Sequence, residues 1–144
     1  MAKRILAPLG TCEATQAILP LVASVARESG ATVRLLRVYP VPDHIVGSHG
    51  RTVAYVDQEI DRLSRQGRMD LKAIADTTLD GVPVETVVRF GDPAEEILIE
   101  AEAFGADLIA LTTAERSRLR RALMGGTVDN ITRKAPVPTL ILRI

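Results

Sequence analysis

The chain has 144 residues, of which 47% are apolar and 3% aromatic, and its 18 basic residues are balanced by 18 acidic ones. This length is typical of one domain, and the aliphatic content is sufficient to fill a core. The charge balance argues against a nucleic-acid-binding module, which usually carries a basic excess.

The cysteine count and the hydropathy pattern indicate the compartment. Cys12 is the single cysteine of the sequence, so an intrachain disulfide is excluded. No apolar run approaches the ~18 residues that a membrane helix needs. We therefore expect a cytoplasmic protein without a membrane partner.

The first part of the chain contains two strands separated by a helix. Residues 5–9 form an apolar run that predicts a buried parallel strand, and residues 33–38 predict a second one. Apolar residues at helical spacing predict a helix over residues 13–28. Pro20 should kink this helix and Gly30 should end it.

The middle of the chain begins with a predicted loop over residues 40–50. This loop holds both histidines, but their spacing fits no strong metal motif. A long helix is predicted over residues 53–78, and Gly67 should weaken its middle by roughly 1 kcal/mol relative to alanine. Residues 82–88 predict a third strand.

The last part of the chain opens with the clearest helix start of the sequence. Asp92 can cap the helix and Pro93 suits its first position, while Gly105 should end it. A fourth strand is predicted over residues 106–112. The pattern ends with a short helix over residues 127–133 and a fifth strand over residues 138–144.

This alternation of strands and helices predicts an α/β fold. Successive βαβ units give a five-stranded parallel sheet, and right-handed crossovers place helices on both of its faces. Ligands of such sheets bind beyond the carboxyl ends of the strands, where the strand order reverses.

The segment that follows the fourth strand suits a phosphate. An apolar strand leads into a long loop, which ends at Gly126-Thr127 where a helix should begin. Free backbone N–H groups at a helix N-terminus attract anions. The four arginines of this loop could also grip phosphate, or could simply be solvated; they are Arg116, Arg118, Arg120 and Arg121.

Four motifs carry a resemblance to a known family. They are ILAP at residues 5–8, GDPAEEIL at 91–98, GADLI at 105–109 and APVPTLI at 135–141. In combination the chain resembles the universal stress protein family over nearly its whole length. The resemblance implies a Rossmann-like fold of the adenine nucleotide alpha hydrolase type, usually as a homodimer.

The resemblance also implies a degenerate nucleotide site. The family's nucleotide loop has two glycines separated by two residues, then a third glycine with Ser or Thr after nine more. Gly126-Thr127 fits the end of this pattern, but Thr113 and Arg116 occupy the first two glycine positions. Gly10 stands where ATP-binding members carry an acid that holds the ribose. ATP or another adenine nucleotide is therefore expected to bind weakly or not at all.

The candidate ligand site combines the strand ends with this loop. Its members are Pro8, Leu9, Gly10, Val38, Thr112, Thr113, Arg116, Gly126, Thr127 and Val128. We predict a regulatory protein that acts by binding without catalysis. One alternative is an ATP-binding sensor whose arginines replace the missing glycines. Another is a slow nucleotide hydrolase, for which no carboxylate or histidine clearly supplies a general base.

The last strand is the candidate interface. Its apolar run would invite aggregation if it lay exposed at the sheet edge, and family resemblance implies antiparallel pairing with a second copy. The alternative is that the strand is covered within its own chain. The interface residues are Thr139, Leu140, Ile141 and Leu142.

Overall fold

The computed structural model describes residues 2–42, 52–113 and 127–144, with the side chains of residues 52–55 and of Thr127 excluded. The predicted loop over residues 40–50 is described only as far as residue 42, and the arginine-rich segment over residues 114–126 lies outside the described residues.

Five strands form one parallel sheet in the order β3-β2-β1-β4-β5. The strands are β1 (Arg4–Pro8), β2 (Thr32–Tyr39), β3 (Val84–Phe90), β4 (Leu108–Thr113) and β5 (Thr139–Arg143). The helices are a 3-10 helix (Glu13–Ile18), α1 (Leu19–Ser29), α2 (Thr52–Thr78), α3 (Pro93–Phe104) and α4 (Thr127–Lys134). The predicted α/β fold is confirmed.

The sheet is buried on both faces because its strands alternate between two cores. Ile5 and Ala7 of β1 point to the core beneath α1 and α2, where Leu71 is fully buried. Leu6, between them, points to the opposite core beneath α3 and α4, which includes Ile97. This period of two explains why the strands show continuous apolar runs and no simple alternation.

Pro20 does not kink a long helix, so that prediction is wrong. The predicted helix is divided into the 3-10 helix and α1, and Pro20 lies in the first turn of α1. The backbone N–H groups of a first helical turn have no intrahelical acceptor, so a proline there costs the helix no hydrogen bond. Gly30 ends α1 as predicted, with φ of 70° and its N–H donating to the carbonyl of Ala26 at 2.8 Å.

Gly67 lies within α2, which continues unbroken through it. A Cβ atom at this position would stand 2.8 Å from Cγ2 of Val88 and 3.1 Å from the hydroxyl of Tyr39. The glycine therefore serves packing, because it lets α2 approach β2 and β3 closely. Helix propensity predicts only that a glycine destabilises a helix, and it gives no information about this packing.

The start of α3 agrees with the sequence prediction. The Asp92 carboxylate accepts a hydrogen bond from the Glu95 N–H at 3.0 Å, and Pro93 is the first residue of the helix. Gly105 ends the helix in the left-handed conformation, with φ of 68°. The Asp92 cap fixes the residue at which α3 begins, and this start lies beside the carboxyl ends of the strands.

Candidate functional site

The reversal of strand order lies between β1 and β4. These two strands pair at Ile5 with Leu108 and at Leu6 with Ile109, near their beginnings. By contrast, β1 pairs with β2 along its whole length. The end of β1 is therefore free to diverge from β4, and such a switch point is where ligands enter open α/β sheets.

A cleft of about 290 Å³ opens at this switch point. Six of the predicted site residues line it: Pro8, Leu9, Gly10, Val38, Thr112 and Val128. Four further residues line the cleft that the sequence analysis did not predict: Thr15, Pro93, Ile97 and Leu111. Among these, Pro93 and Ile97 could have been found, because the cap at Asp92 already placed the start of α3 beside the strand ends.

The other predicted site residues lie elsewhere or outside the described part of the chain. Thr113 is buried, and its carbonyl accepts the N–H of Ile144 at 3.0 Å. It is not among the residues that line the cleft. Thr127 begins α4, but its side chain is not described. Arg116 and Gly126 lie outside the described residues.

The hydroxyl of Thr112 is engaged within the protein. It donates to the carbonyl of Thr15 at 3.0 Å and accepts the N–H of Ile18 at 3.1 Å. These bonds join β4 to the 3-10 helix across the switch point. One hydroxyl proton and one lone pair are thereby used, so the group has little capacity left for a ligand.

Gly10 offers no side chain to the cleft, and its carbonyl is also engaged. The guanidinium of Arg37 donates from Nη2 to this carbonyl at 3.2 Å, and Thr15 Oγ1 lies 3.3 Å away. Gly10 does not have a positive φ, so its backbone does not require glycine. A Cβ atom there would meet Cγ2 of Thr15 at 3.3 Å, a tight but adjustable contact.

Arg37 is a buried charge that sequence analysis missed. Its side chain is 6% exposed, and Nη1 lies 3.3 Å from the carboxylate of Asp70 on α2, which is 45% exposed. Among the described residues its Nε has no hydrogen-bond partner. The sequence did contain a signal for this burial, because Arg37 lies within the second predicted strand, directly after Leu35 and Leu36. The charge lies beneath the loop after β1 and holds the Gly10 carbonyl in place.

A network of ion pairs anchors α3 beside the cleft. The buried carboxylate of Glu100 accepts from Arg34 at 2.7 Å and from Arg89 at 2.9 Å. Arg89 also donates to Glu96 at 2.7 Å, and this hydrogen bond is the main reason that the pKa of Arg89 is raised above its ordinary value. Burial makes such pairs costly to break, so they fix the position of Pro93 at the cleft.

The described residues contain neither a cluster of metal ligands nor a membrane-spanning helix. No group of three or more histidine, cysteine, aspartate or glutamate residues is arranged there to hold a metal ion. In the same part of the chain, no helix combines the length and the hydropathy that crossing a membrane requires.

β5 lies at one edge of the sheet, beside β4. Its central side chains are half-buried: Leu140 and Leu142 pack against the core of α1 and α2, and Ile141 packs against the opposite core. The backbone edge away from β4 pairs with no other strand of the described residues.

These observations define a doubly wound α/β protein with a largely apolar cleft at its topological switch point. A sequence model described as the "Universal stress protein family" matches residues 1–143. The chain therefore belongs to the universal stress protein family, as its motifs indicated.

Individual relatives agree with this assignment. The chain is 26% identical to universal stress protein YxiE of Bacillus subtilis over 144 residues, which is 99% of the chain and 90% of the relative. It is 32% identical to universal stress protein MJ0531 of Methanocaldococcus jannaschii over 82 residues, 56% of the chain. That match spans about half of the relative's length, 48%.

Solved structures agree on the fold. The structure of MJ0577 from the same archaeon superposes with a TM-score of 0.76 at 23% identity, covering 99% of this chain and 96% of the other. A universal stress protein in complex with cAMP superposes at 0.63 and 17% identity, covering 98% and 96%. A family protein from Arabidopsis thaliana with AMP bound superposes at 0.61 and 12% identity, covering 98% and 91%.

Proposed function

We propose that this chain is a cytoplasmic, homodimeric regulatory domain that acts through binding and partner contact, without catalysis and with weak or absent ATP binding. The observation that carries the proposal is the engagement of the polar groups at the cleft. The Thr112 hydroxyl and the Gly10 carbonyl are both hydrogen-bonded within the protein. A ribose would have to displace these bonds, and no carboxylate at position 10 compensates for their loss.

The size of this effect supports weak binding. A hydrogen bond to a charged group contributes about 1.5–3 kcal/mol, which is roughly ten- to hundredfold in affinity. Thr113 and Arg116 add to the loss, because side chains replace the two glycines that let the family's loop backbone approach phosphates. In the family pattern all three positions serve one nucleotide, so their costs would fall on the same ligand, although Thr113 itself does not line the cleft.

The second candidate is an ATP-binding sensor that uses arginine side chains in place of those glycines. It is favoured by the structural relatives that hold AMP and cAMP on the same fold. The apolar lining of the cleft, with Leu9, Val38 and Ile97, also suits an adenine ring.

Thermal unfolding with and without millimolar Mg-ATP, ADP or AMP separates the two candidates. We expect no shift for the wild-type protein. Ligand at 100 times its Kd would stabilise the protein by ~2.7 kcal/mol, or several degrees. A shift of that size that is lost in Arg116→Ala but kept in Arg68→Ala, an exposed arginine of α2, would contradict the first proposal and support the sensor.

The variant Gly10→Asp tests the same reasoning by restoring the acid. The contact of a Cβ atom with Thr15 at 3.3 Å requires only a small adjustment. We expect the variant to fold and to show a larger ATP-induced shift than the wild-type protein. An unchanged response in a folded variant would mean that the missing carboxylate does not limit nucleotide binding.

The dimer and the absence of catalysis are tested separately. The free edge of β5 and its half-buried apolar side chains support pairing through Thr139, Leu140, Ile141 and Leu142. Sedimentation should give twice the chain mass, and a monomer at micromolar concentration would contradict the proposal. Sustained phosphate release from Mg-ATP would contradict the non-catalytic assignment.

A further inference from the structure

A second concave surface lies between α3 and α4, separate from the cleft at the strand ends. This α3–α4 groove has a volume of about 480 Å³. Ala94, Leu98 and Ile99 of α3 form its apolar floor, and Lys134 of α4 lies on its opposite wall. The proposed function makes no use of this surface.

The floor of the groove exposes a large apolar side chain. Ile99 is 42% exposed, whereas Ile97 on the inner face of the same helix is buried. Glu95 precedes Ile99 by four residues and Glu102 follows it by three, so all three side chains share one face of the helix. The face therefore presents an isoleucine between two carboxylates.

The rim of the groove is acidic. Among the described residues that line it, Asp92, Glu95 and Glu102 provide three carboxylates against the one ammonium of Lys134, so the net charge of this lining is negative. Within the described part of the chain, Glu95 and Glu102 form no salt bridge.

The inner carboxylates of the same helix are different. Glu96 and Glu100 are both paired with arginines of the sheet. The helix therefore satisfies the charges that face the sheet and leaves the outer ones available to a partner.

We propose that the α3–α4 groove binds an amphipathic helix of another protein, with basic residues on both sides of a leucine-like residue. The leucine would pack on Ile99 and Leu98, and the basic residues would face Glu95 and Glu102. These two glutamates lie seven residues apart, or about 10 Å along the helix axis. This distance corresponds to two turns of a bound helix, whose apolar residue occupies the groove in the usual helix-in-groove manner.

The charge of the groove determines the class of partner. Three carboxylates repel nucleic acid and anionic lipid headgroups but attract lysine and arginine. Because the carboxylates are exposed, binding should be sensitive to salt, which screens such charges over about 10 Å at 0.1 M and about 3 Å at 1 M.

The first test uses a fluorescein-labelled helical peptide of lysine and leucine at these spacings, with a glutamate-for-lysine peptide as its control. Fluorescence anisotropy with the full chain should show binding of the basic peptide only, weakened by about tenfold or more between 0.1 M and 1 M salt. Amide chemical-shift changes should map to α3 and α4. Binding of both peptides alike, binding of neither, or shifts confined to other elements would overturn the proposal.

Matched variants test the residues. Glu95→Gln with Glu102→Gln should weaken the basic peptide by about tenfold, since each exposed ion pair contributes up to about 1 kcal/mol. The control pair is Glu28→Gln with Asp76→Asn, exposed acids on the other side of the sheet, and it should leave binding unchanged. Equal loss in both double variants would show that net charge alone governs binding and would overturn the proposal.

The apolar contact has its own control. Ile99→Lys should abolish binding of the basic peptide, whereas Met69→Lys, a substitution of an apolar residue on α2 that is 68% exposed, should not. Sedimentation of the protein alone distinguishes a further outcome. If Ile99→Lys lowers the sedimenting mass and the wild-type protein does not bind the peptide, the face joins copies of this chain and the proposal is wrong.

Discussion

The Thr112 hydroxyl gives the sharpest test of how the cleft is built. Thr112→Val removes the hydroxyl and keeps the shape of the side chain. The N–H of Ile18, a fully buried residue, then loses its acceptor at 3.1 Å, and the carbonyl of Thr15 loses a donor at 3.0 Å. No ligand takes part in this prediction, so it isolates the internal role of the hydroxyl.

The expected cost follows from these two bonds. A buried donor left without an acceptor costs about 1–3 kcal/mol, and the carbonyl retains a second lone pair. We therefore expect the free energy of unfolding to fall by about 2 kcal/mol. With a urea m value of about 2 kcal/mol/M for a domain of this size, the midpoint should fall by about 1 M.

Thr112→Ser is the matched control, because it keeps the hydroxyl and loses one methyl group, worth about 0.8 kcal/mol when buried. Urea unfolding followed by circular dichroism should rank the proteins as wild type, then the serine variant, then the valine variant. A valine variant at least as stable as the serine variant would refute the reasoning. It would mean that the hydroxyl is not used internally and is available to a ligand.

Two further predictions concern packing and pH. Gly67→Ala should destabilise the protein despite the higher helix propensity of alanine, because the new Cβ would lie 2.8 Å from Cγ2 of Val88. Such overpacking costs about 1–3 kcal/mol. A variant that is more stable than the wild-type protein in thermal unfolding would contradict this prediction. The N–H groups of Lys3 and Arg4 hold the pKa of the Asp107 carboxyl below its ordinary value. Its stabilising contribution is present at neutral pH and is lost as the pH falls below about 4, so Asp107→Asn should lessen the acid-side decline in urea midpoint, and equal declines would count against it.

The sequence predicted helix ends well where residues close in the chain determine them. The cap at Asp92 depends on an N–H three residues away, and the end of α1 at Gly30 depends on one left-handed residue. Both are confirmed, as is the parallel sheet that strand–helix alternation predicted. Such features need no information about distant residues.

Boundaries and proline effects were predicted less well because packing decides them. The third strand was predicted over residues 82–88 but runs from Val84 to Phe90, since its pairing with β2 continues to Tyr39. Pro20 was predicted to kink a helix, whereas the 3-10 helix before it lets the proline occupy a first turn. The pattern of apolar residues along one strand does not predict its register with the neighbouring strand, and this register sets where the strand ends.

The sequence by itself determined the family, the order of elements and the absence of a carboxylate at position 10. Only the tertiary structure decided that the remaining polar groups of the cleft are already engaged. Thr112 meets Thr15 and Ile18 across more than ninety positions, and Arg37 reaches Gly10 from a neighbouring strand. A hydroxyl in a sequence is equally consistent with a ligand contact and an internal bond, because its partners are chosen by the three-dimensional packing of residues far apart in the chain.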